Sequence, residues 1–462
     1  MQPLLSIVKE LHNWLSVKCE IGNYAVHSGD KLKKEETVVK RLFSMLLVVC
    51  VLFSIFGVTV MAGGKSGKIT IWAWDPNFNV PVMAEAKARY QKINPSVEIE
   101  IVEMAKADVE QKLNTVLASG MKEGLPDIVL IEDYNAQKYL QAYPGAFADL
   151  TKKINHKEFA SYKNELMTLK RKIYGVPFDS GVSALFYRRD ILAEAGYEPA
   201  DLNNITWDQF IEIGKQVKKK TGKAMIAFDA ADGGLMRIMM QSAGEWYFDK
   251  NDNPNIVNNE VIKEGYIAYK KIVDSGIIKK TSGWNEWVAS FNKGETASVI
   301  TGCWIIGSIK AEKSQSGKWA AAPTPRLNLK SSVNYSNLGG SSWYVIEKSK
   351  NRAVAEDFLK TIFAADQDFY QKILVEQGAV GTYLPSQDGV AYTKPDQFFG
   401  GQKIFSDFST WMRKIPPVNY GLFTYEADAA LMAVMPDYLA GKIDVETALK
   451  KAEEQLKNQI DF

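Results

Sequence analysis

Residues 172–197 read Lys-Ile-Tyr-Gly-Val-Pro-Phe-Asp-Ser-Gly-Val-Ser-Ala-Leu-Phe-Tyr-Arg-Arg-Asp-Ile-Leu-Ala-Glu-Ala-Gly-Tyr, and they restrict the fold more than any other stretch. The apolar run 172–178, with Pro177 near its end, predicts a short strand, because a residue without an N–H is tolerated at strand ends and edges. Asp179-Ser180-Gly181 break the alternation, and small polar residues beside a glycine suit a bend. Residues 182–187 predict a second β-rich run, and 190–195 a helix stopped by Gly196. Two strands meeting end to end through a polar kink predict a chain that passes from one domain into another.

The flanking sequence supplies the domains. Residues 68–74 predict a strand with Ile69, Ile71 and Ala73 on one face and Trp72 and Trp74 on the other. A helix over 80–93, a strand over 97–102, a helix over 107–118 and a continuous apolar strand over 126–131 follow. That order predicts an α/β fold with a parallel sheet. Ligands in such sheets sit beyond the C-terminal strand ends, here Trp74-Asp75 and Glu132-Asp133-Tyr134-Asn135. Past the kink, Thr206 caps a helix to 220, residues 224–228 form a strand and 233–244 a Met-rich helix. Helices over 260–275 and 285–292 precede a strand over 294–300. It runs into Thr301-Gly302-Cys303-Trp304, where Gly302 is expected to let the backbone turn tightly. Residues 319–325, closed by two prolines, are a second candidate crossing. A strand over 338–346 and a helix over 350–363 come next. From 367 onward the pattern is helical, interrupted by Pro385, Pro395 and Pro416-Pro417.

Composition excludes several chemistries. The formal net charge is only +2, so nothing global points to nucleic acid or an anionic surface. Lys40 and Arg41, the apolar run 42–60 and Val60-Met61-Ala62 have the order of a signal peptide spanning 40–62, so the mature chain is expected to begin at Gly63. The alternative is an uncleaved anchor, since the apolar run could just span a bilayer. Residues 1–39 are expected to be a mis-called extension, with translation starting near Val38 or Val39. Beyond the signal only Cys303 and His156 remain of their kinds. Zinc sites, histidine triads and an internal disulfide are therefore excluded, and Cys303 reads as a small core residue. Asp249, Asn251, Asn253, Asn255 and Glu260 have calcium-loop spacing, but Pro254 stands where that loop needs glycine, so a plain turn is expected. No metal and no cofactor are implied.

Several segments together resemble the sugar-binding proteins of ABC importers, the large solute-binding family that includes maltose-binding protein. They are the 172–197 stretch, Ile-Trp-Ala-Trp-Asp-Pro from Ile71, Gly-Leu-Pro-Asp-Ile-Val from Gly124, Tyr-Asn-Ala from Tyr134, and the block from Phe291 to Trp304. Leu-Gly-Gly-Ser-Ser-Trp-Tyr-Val from Leu338 and Pro-Pro-Val-Asn-Tyr-Gly from Pro416 look like the lactose-binding branch. The resemblance implies a type II periplasmic-binding-protein fold, two α/β lobes joined by a multi-crossing hinge with a ligand cleft between them. Lobe 1 would comprise 63–178 plus 323–365, and lobe 2 179–322 plus 366–462.

The implied function is capture of a disaccharide or short oligosaccharide, such as lactose or a related galactoside, outside the cytoplasmic membrane. The protein would be an exported monomer that delivers the sugar to transmembrane permease subunits, with no catalysis. A pyranose has an apolar face that stacks on aromatic rings and a hydroxyl rim that needs polar partners. The stacking candidates are Trp74, Trp304 and a C-terminal aromatic such as Tyr420 or Phe423. The polar candidates are Asp75, Glu132, Asp133, Asn135, Asp179 and Asp232, and Gly340 and Trp343 are further candidate ligand contacts. Each has a plainer alternative: core packing for Trp343 or a strand-end tryptophan, a cap on the kink for Asp179, solvation for one of Glu132 and Asp133. Pro76 and Asn77 stand where maltose-binding protein has a charged pair, so its contacts there do not carry over. A clamp for a non-sugar solute and a secreted glycoside hydrolase, which would need two carboxylates flanking one bond, are the competing classes.

Overall fold

The computed structural model describes residues 67–460, apart from Asn77, Lys122, Ala230 and Ala231. The expected signal and extension lie outside the described residues. Twelve strands occur among the described residues: β1 Gly67–Ala73, β2 Val97–Glu103, β3 Ile128–Glu132, β4 Thr168–Leu169, β5 Lys172–Ile173, β6 Gly175–Pro177, β7 Ser183–Arg188, β8 Ala224–Phe228, β9 Ile278–Lys280, β10 Thr296–Gly302, β11 Trp319–Ala322 and β12 Ser341–Val345. They form two five-stranded sheets and a small hairpin.

The first sheet has the order β2-β1-β3-β12-β6. β1 is parallel to β2 and β3, and β12 is antiparallel to β3 and β6. Alternation in β1 feeds two cores. Ile69, Ile71 and Ala73 pack with Val82, Met83 and Phe358 on one face, while Trp72 packs with Leu113, Tyr139 and Tyr344 on the other. A strand covered on both faces is apolar throughout, as the sequence of β3 shows.

The run 172–178 is not one strand. Lys170 and Arg171 both adopt positive φ (49° and 65°), the conformation of a tight two-residue hairpin turn, so β5 folds back on β4. The chain then steps to β6, where Gly175 leaves only 3.0 Å between its missing Cβ and the Tyr344 ring.

After β6 the chain enters the second sheet, of order β11-β7-β10-β8-β9. The kink is buried: Asp179 and Ser180 are 5% and 2% exposed. A second strand returns beside it, with Leu338 N donating to Gly181 O at 2.8 Å and a bridge between Val182 and Asn337. A Cβ on Gly181 would lie 2.0 Å from Leu338 O, so only glycine fits.

Helices complete both layers. Trp207–Thr221 starts at a capping box between Thr206 and Gln209 and ends at Gly222 with φ 72°. The helix Gln367–Gln377, expected with the second lobe, instead packs Phe369, Tyr370 and Ile373 into the core of the first sheet. Its apolar face points there, and only Leu374 reaches the other core. The helices Ile404–Met412, Thr424–Leu439 and Val445–Ile460 pack with the second sheet. No helix among the described residues is long and apolar enough to cross a membrane.

Candidate functional site

A cavity of about 440 Å³ opens beyond the ends of β3, β8 and β10. Its size lies within the usual range for small-molecule sites. One wall is aromatic. Gly302 ends β10 in an ordinary extended conformation (φ −67°, ψ 155°), so backbone freedom is not why a glycine stands there. Space is the reason: a Cβ would lie 2.3 Å from the Trp304 Nε1. The indole folds back over the glycine and donates from Nε1 to Leu338 O at 2.9 Å. Beside it the helix Gly283–Asn292 starts with Trp284 and Trp287, three residues apart and hence on one face. Trp284 lies 5.9 Å from Trp304 and 5.3 Å from Trp287, between ring centroids. Trp284 remains 52% exposed. The helix start is fixed by Asp229, whose Oδ2 accepts from Gly283 N at 2.7 Å.

The opposite wall is polar. Glu132, the last residue of β3, accepts hydrogen bonds from Lys106 Nζ and from the Tyr425 hydroxyl. Lys106 also reaches the Tyr425 oxygen at 3.1 Å. Burial and then the Glu132 charge hold the Tyr425 hydroxyl far above its ordinary pKa, so it stays a donor. Arg237 stands between Asp232 Oδ1 at 3.6 Å and Asp428 Oδ1 at 3.7 Å, 5.3 Å from the Tyr134 ring centroid. Burial is the largest single influence and opposes its charge, but Asp428 together with Tyr134, Tyr247 and Asp232 outweighs it, so the cation is firmly held. Tyr134 accepts from Gly339 N at 3.0 Å and stacks on Trp246 at 5.8 Å.

Of the residues singled out in the sequence, Glu132, Asp232 and Trp304 line this cavity. The others lie elsewhere. Asp133 and Asp179 belong to a buried knot around Lys163, whose Nζ pairs with Asp133 and donates to the carbonyls of Asp179 and Ser341, both at 2.9 Å. The Asp179 carboxylate accepts from Ser341 N at 2.8 Å and Ser341 Oγ at 2.6 Å. Burial raises the Asp133 carboxyl to about 6, with Lys163 opposing the rise. Gly340, at φ 101°, makes room for this knot, since its Cβ would lie 2.8 Å from Asp133 Oδ2.

Asn135 is buried and donates to Glu110 Oε1 at 3.0 Å. Trp343 is fully buried between Phe178 and Phe363, because β12 is an interior strand. Tyr420 is buried behind Tyr134 and Trp246, with its hydroxyl on Gln241 at 3.0 Å. Trp74 is half-buried against the first sheet's cores, Asp75 is exposed with φ 60°, and Phe423 is half-buried beside Lys138. None of these lines the cavity. The calcium-like segment is a turn in which Asp249 Oδ1 accepts from the backbone of Asn251 and Asn253. Sequence reading missed Trp284, Trp287, Arg237 and Tyr425. A Trp-x-x-Trp pair in the first turn of a helix was the available signal.

The family of bacterial extracellular solute-binding proteins matches over residues 85–398. A lactose-binding protein of Rhizobium radiobacter is 53% identical over 86% of this chain and 93% of its own length. An arabinooligosaccharide-binding protein of Bacillus subtilis is 28% identical over 64% and 70% of the two chains. Among solved structures, the sugar-binding protein MalE from Xanthomonas citri superposes with a TM-score of 0.72 at 17% identity, covering 85% of this chain and 98% of its own. A binding protein from B. animalis subsp. lactis, solved with beta-1,6-galactobiose, gives 0.67 at 24% identity over 86% and 98%. These two superpositions establish the fold, that of two-sheet α/β sugar-binding proteins. With a family match across most of its length and a relative at such identity, the chain belongs to the bacterial extracellular solute-binding proteins.

Proposed function

We propose that this protein captures a disaccharide or short oligosaccharide, a galactoside such as lactose, outside the cytoplasmic membrane and delivers it to the permease subunits of an ABC importer. The observation that carries this reading is the cavity itself, with Trp284, Trp287 and Trp304 on one wall and Glu132, Asp232 and Arg237 on the other. Stacked indoles match the apolar face of a pyranose, and charged groups match its hydroxyl rim. The lactose-binding relative and the galactobiose-bound neighbour support the galactoside class.

The two sheets with their cores are the two lobes of the clamp, and the first lobe includes the helix Gln367–Gln377. Sugar closes them because only a closed form lets both lobes touch it. The protein acts as a monomer without nucleic acid, does not hydrolyse its ligand, and is exported by cleavage before Gly63. Titration calorimetry with lactose tests the reading: micromolar or tighter binding with no release of monosaccharide is expected. Failure to bind lactose, galactobiose and arabino-oligosaccharides would overturn it.

A further inference from the structure

The helix Asp133–Ala142 has two working faces. Ala136, Tyr139 and Leu140 pack with Trp72, Val129 and Tyr344 and fix the helix to the first lobe. Tyr134, Lys138 and Gln141 follow one another at intervals of four and three residues, so they share another face as one stripe. All three meet the second lobe. The Tyr134 ring lies against Trp246 and Tyr420, at 5.8 and 4.7 Å between centroids. Lys138 Nζ lies 2.9 Å from Glu426 Oε1 and 5.9 Å from the centre of the Phe423 ring, both at the start of the helix Thr424–Leu439. Gln141 Nε2 donates to Asp252 Oδ2 at 3.4 Å. Of this stripe Tyr134 lines the cavity, whereas neither Lys138 nor its partner Glu426 does. The seam between the lobes thus starts at the cavity wall and continues outward beyond it.

We propose that Lys138 and Glu426 are positioning residues for ligand capture: their pair presses the stripe onto the second lobe, holds Tyr134 in the cavity wall and slows release of the sugar. The inference rests on the saccharide reading above and adds a determinant of affinity that the ligand never touches. A bound sugar leaves when the lobes part, and parting them breaks this pair. Whatever stabilises the binding-competent form raises the apparent affinity by the same factor, until that form is fully populated. The two side chains are 36% and 31% exposed, so solvent screens part of the attraction and the factor is modest.

The test is a charge swap, read by lactose affinity and by the rate of lactose release. Lys138→Glu and Glu426→Lys each set like charges face to face. Each is expected to weaken lactose roughly 3- to 10-fold, mainly through faster dissociation. The double variant rebuilds the pair with its ends exchanged and should return to within about 2-fold of the native affinity. The loss in each single variant should shrink as salt screens these half-exposed charges. A melting curve for each variant separates lost binding from lost fold, and recovery in the swap is a result that general damage by either substitution would not give. Single variants that bind and release lactose as the native protein does would overturn the inference and leave the saccharide reading intact. A swap that fails to recover would do the same. A native protein that binds none of lactose, galactobiose and arabino-oligosaccharides would overturn both.

Discussion

The ammonium of Lys163 and the carboxylate of Asp133 are paired with 0% and 1% of their side-chain surface exposed. The pair ties the helix Ser161–Leu166 to the start of the helix Asp133–Ala142, and through the carbonyls of Asp179 and Ser341 to both strands of the crossing. Removing one partner leaves an uncompensated buried charge. Lys163→Met is expected to cost about 3–5 kcal/mol of stability, read by chemical denaturation. A loss within 0.5 kcal/mol, roughly the size of a surface substitution, would show the knot to be dispensable.

The tryptophan wall separates binding from stability. A sugar ring on an indole removes about 100 Å² of apolar surface from water, worth roughly 2–3 kcal/mol. Trp284→Ala should therefore weaken lactose roughly 30- to 150-fold with little change in melting temperature, because Trp284 is half exposed. Trp304→Ala should weaken it by a similar factor and also lower the melting temperature, since the Leu338 carbonyl loses its donor. Affinity left intact in both variants would mean that the platform lies elsewhere.

Gly302→Ala tests how that wall is built. The added methyl meets the Trp304 indole at 2.3 Å and must displace it. Lactose affinity is expected to fall about as far as in Trp304→Ala, roughly 30-fold or more. An unchanged affinity would show that the indole can shift without consequence for the ligand.

His156 gives a pH signature. It is buried, its Nε2 lies 3.3 Å from Leu150 O, and burial lowers its pKa below the ordinary histidine value. The unfolded chain then binds the proton more readily than the folded one. The contribution of neutral His156 is complete above about 6.5 and is lost as pH falls through the lower folded value. Melting temperatures between pH 5 and 7 should slope less steeply in His156→Gln than in the native protein. Parallel slopes would contradict this.

Much of the architecture was legible. The alternation in β1, the apolar run of β3 and the polar kink at Asp179-Ser180-Gly181 each follow from a local rule, and each stands where expected. The site was harder to read for a geometric reason. The apolar run of β3 makes residues 132–135 read as a strand end, where neighbours point to two faces. A helix begins at Asp133, with Glu132 still extended as its N-cap. Glu132 and Tyr134 line the cavity, while Asp133 is held by Lys163 and Asn135 by Glu110, partners that come from other elements and leave no local sign. Arg237 and Tyr425 gave no local sign, because their partners Asp428 and Glu132 lie far away in sequence.

Leu338 uses both of its backbone groups at the crossing. Its N–H is bound to Gly181 on the neighbouring strand, and its oxygen holds the Trp304 indole. A change of angle between the two sheets passes through these strands, and residue 338 cannot slide without pulling on that ring. The chain thus moors one of its native indoles to the joint, so a change of that angle is expected to move the Trp304 ring against its neighbour Trp284, 5.9 Å away.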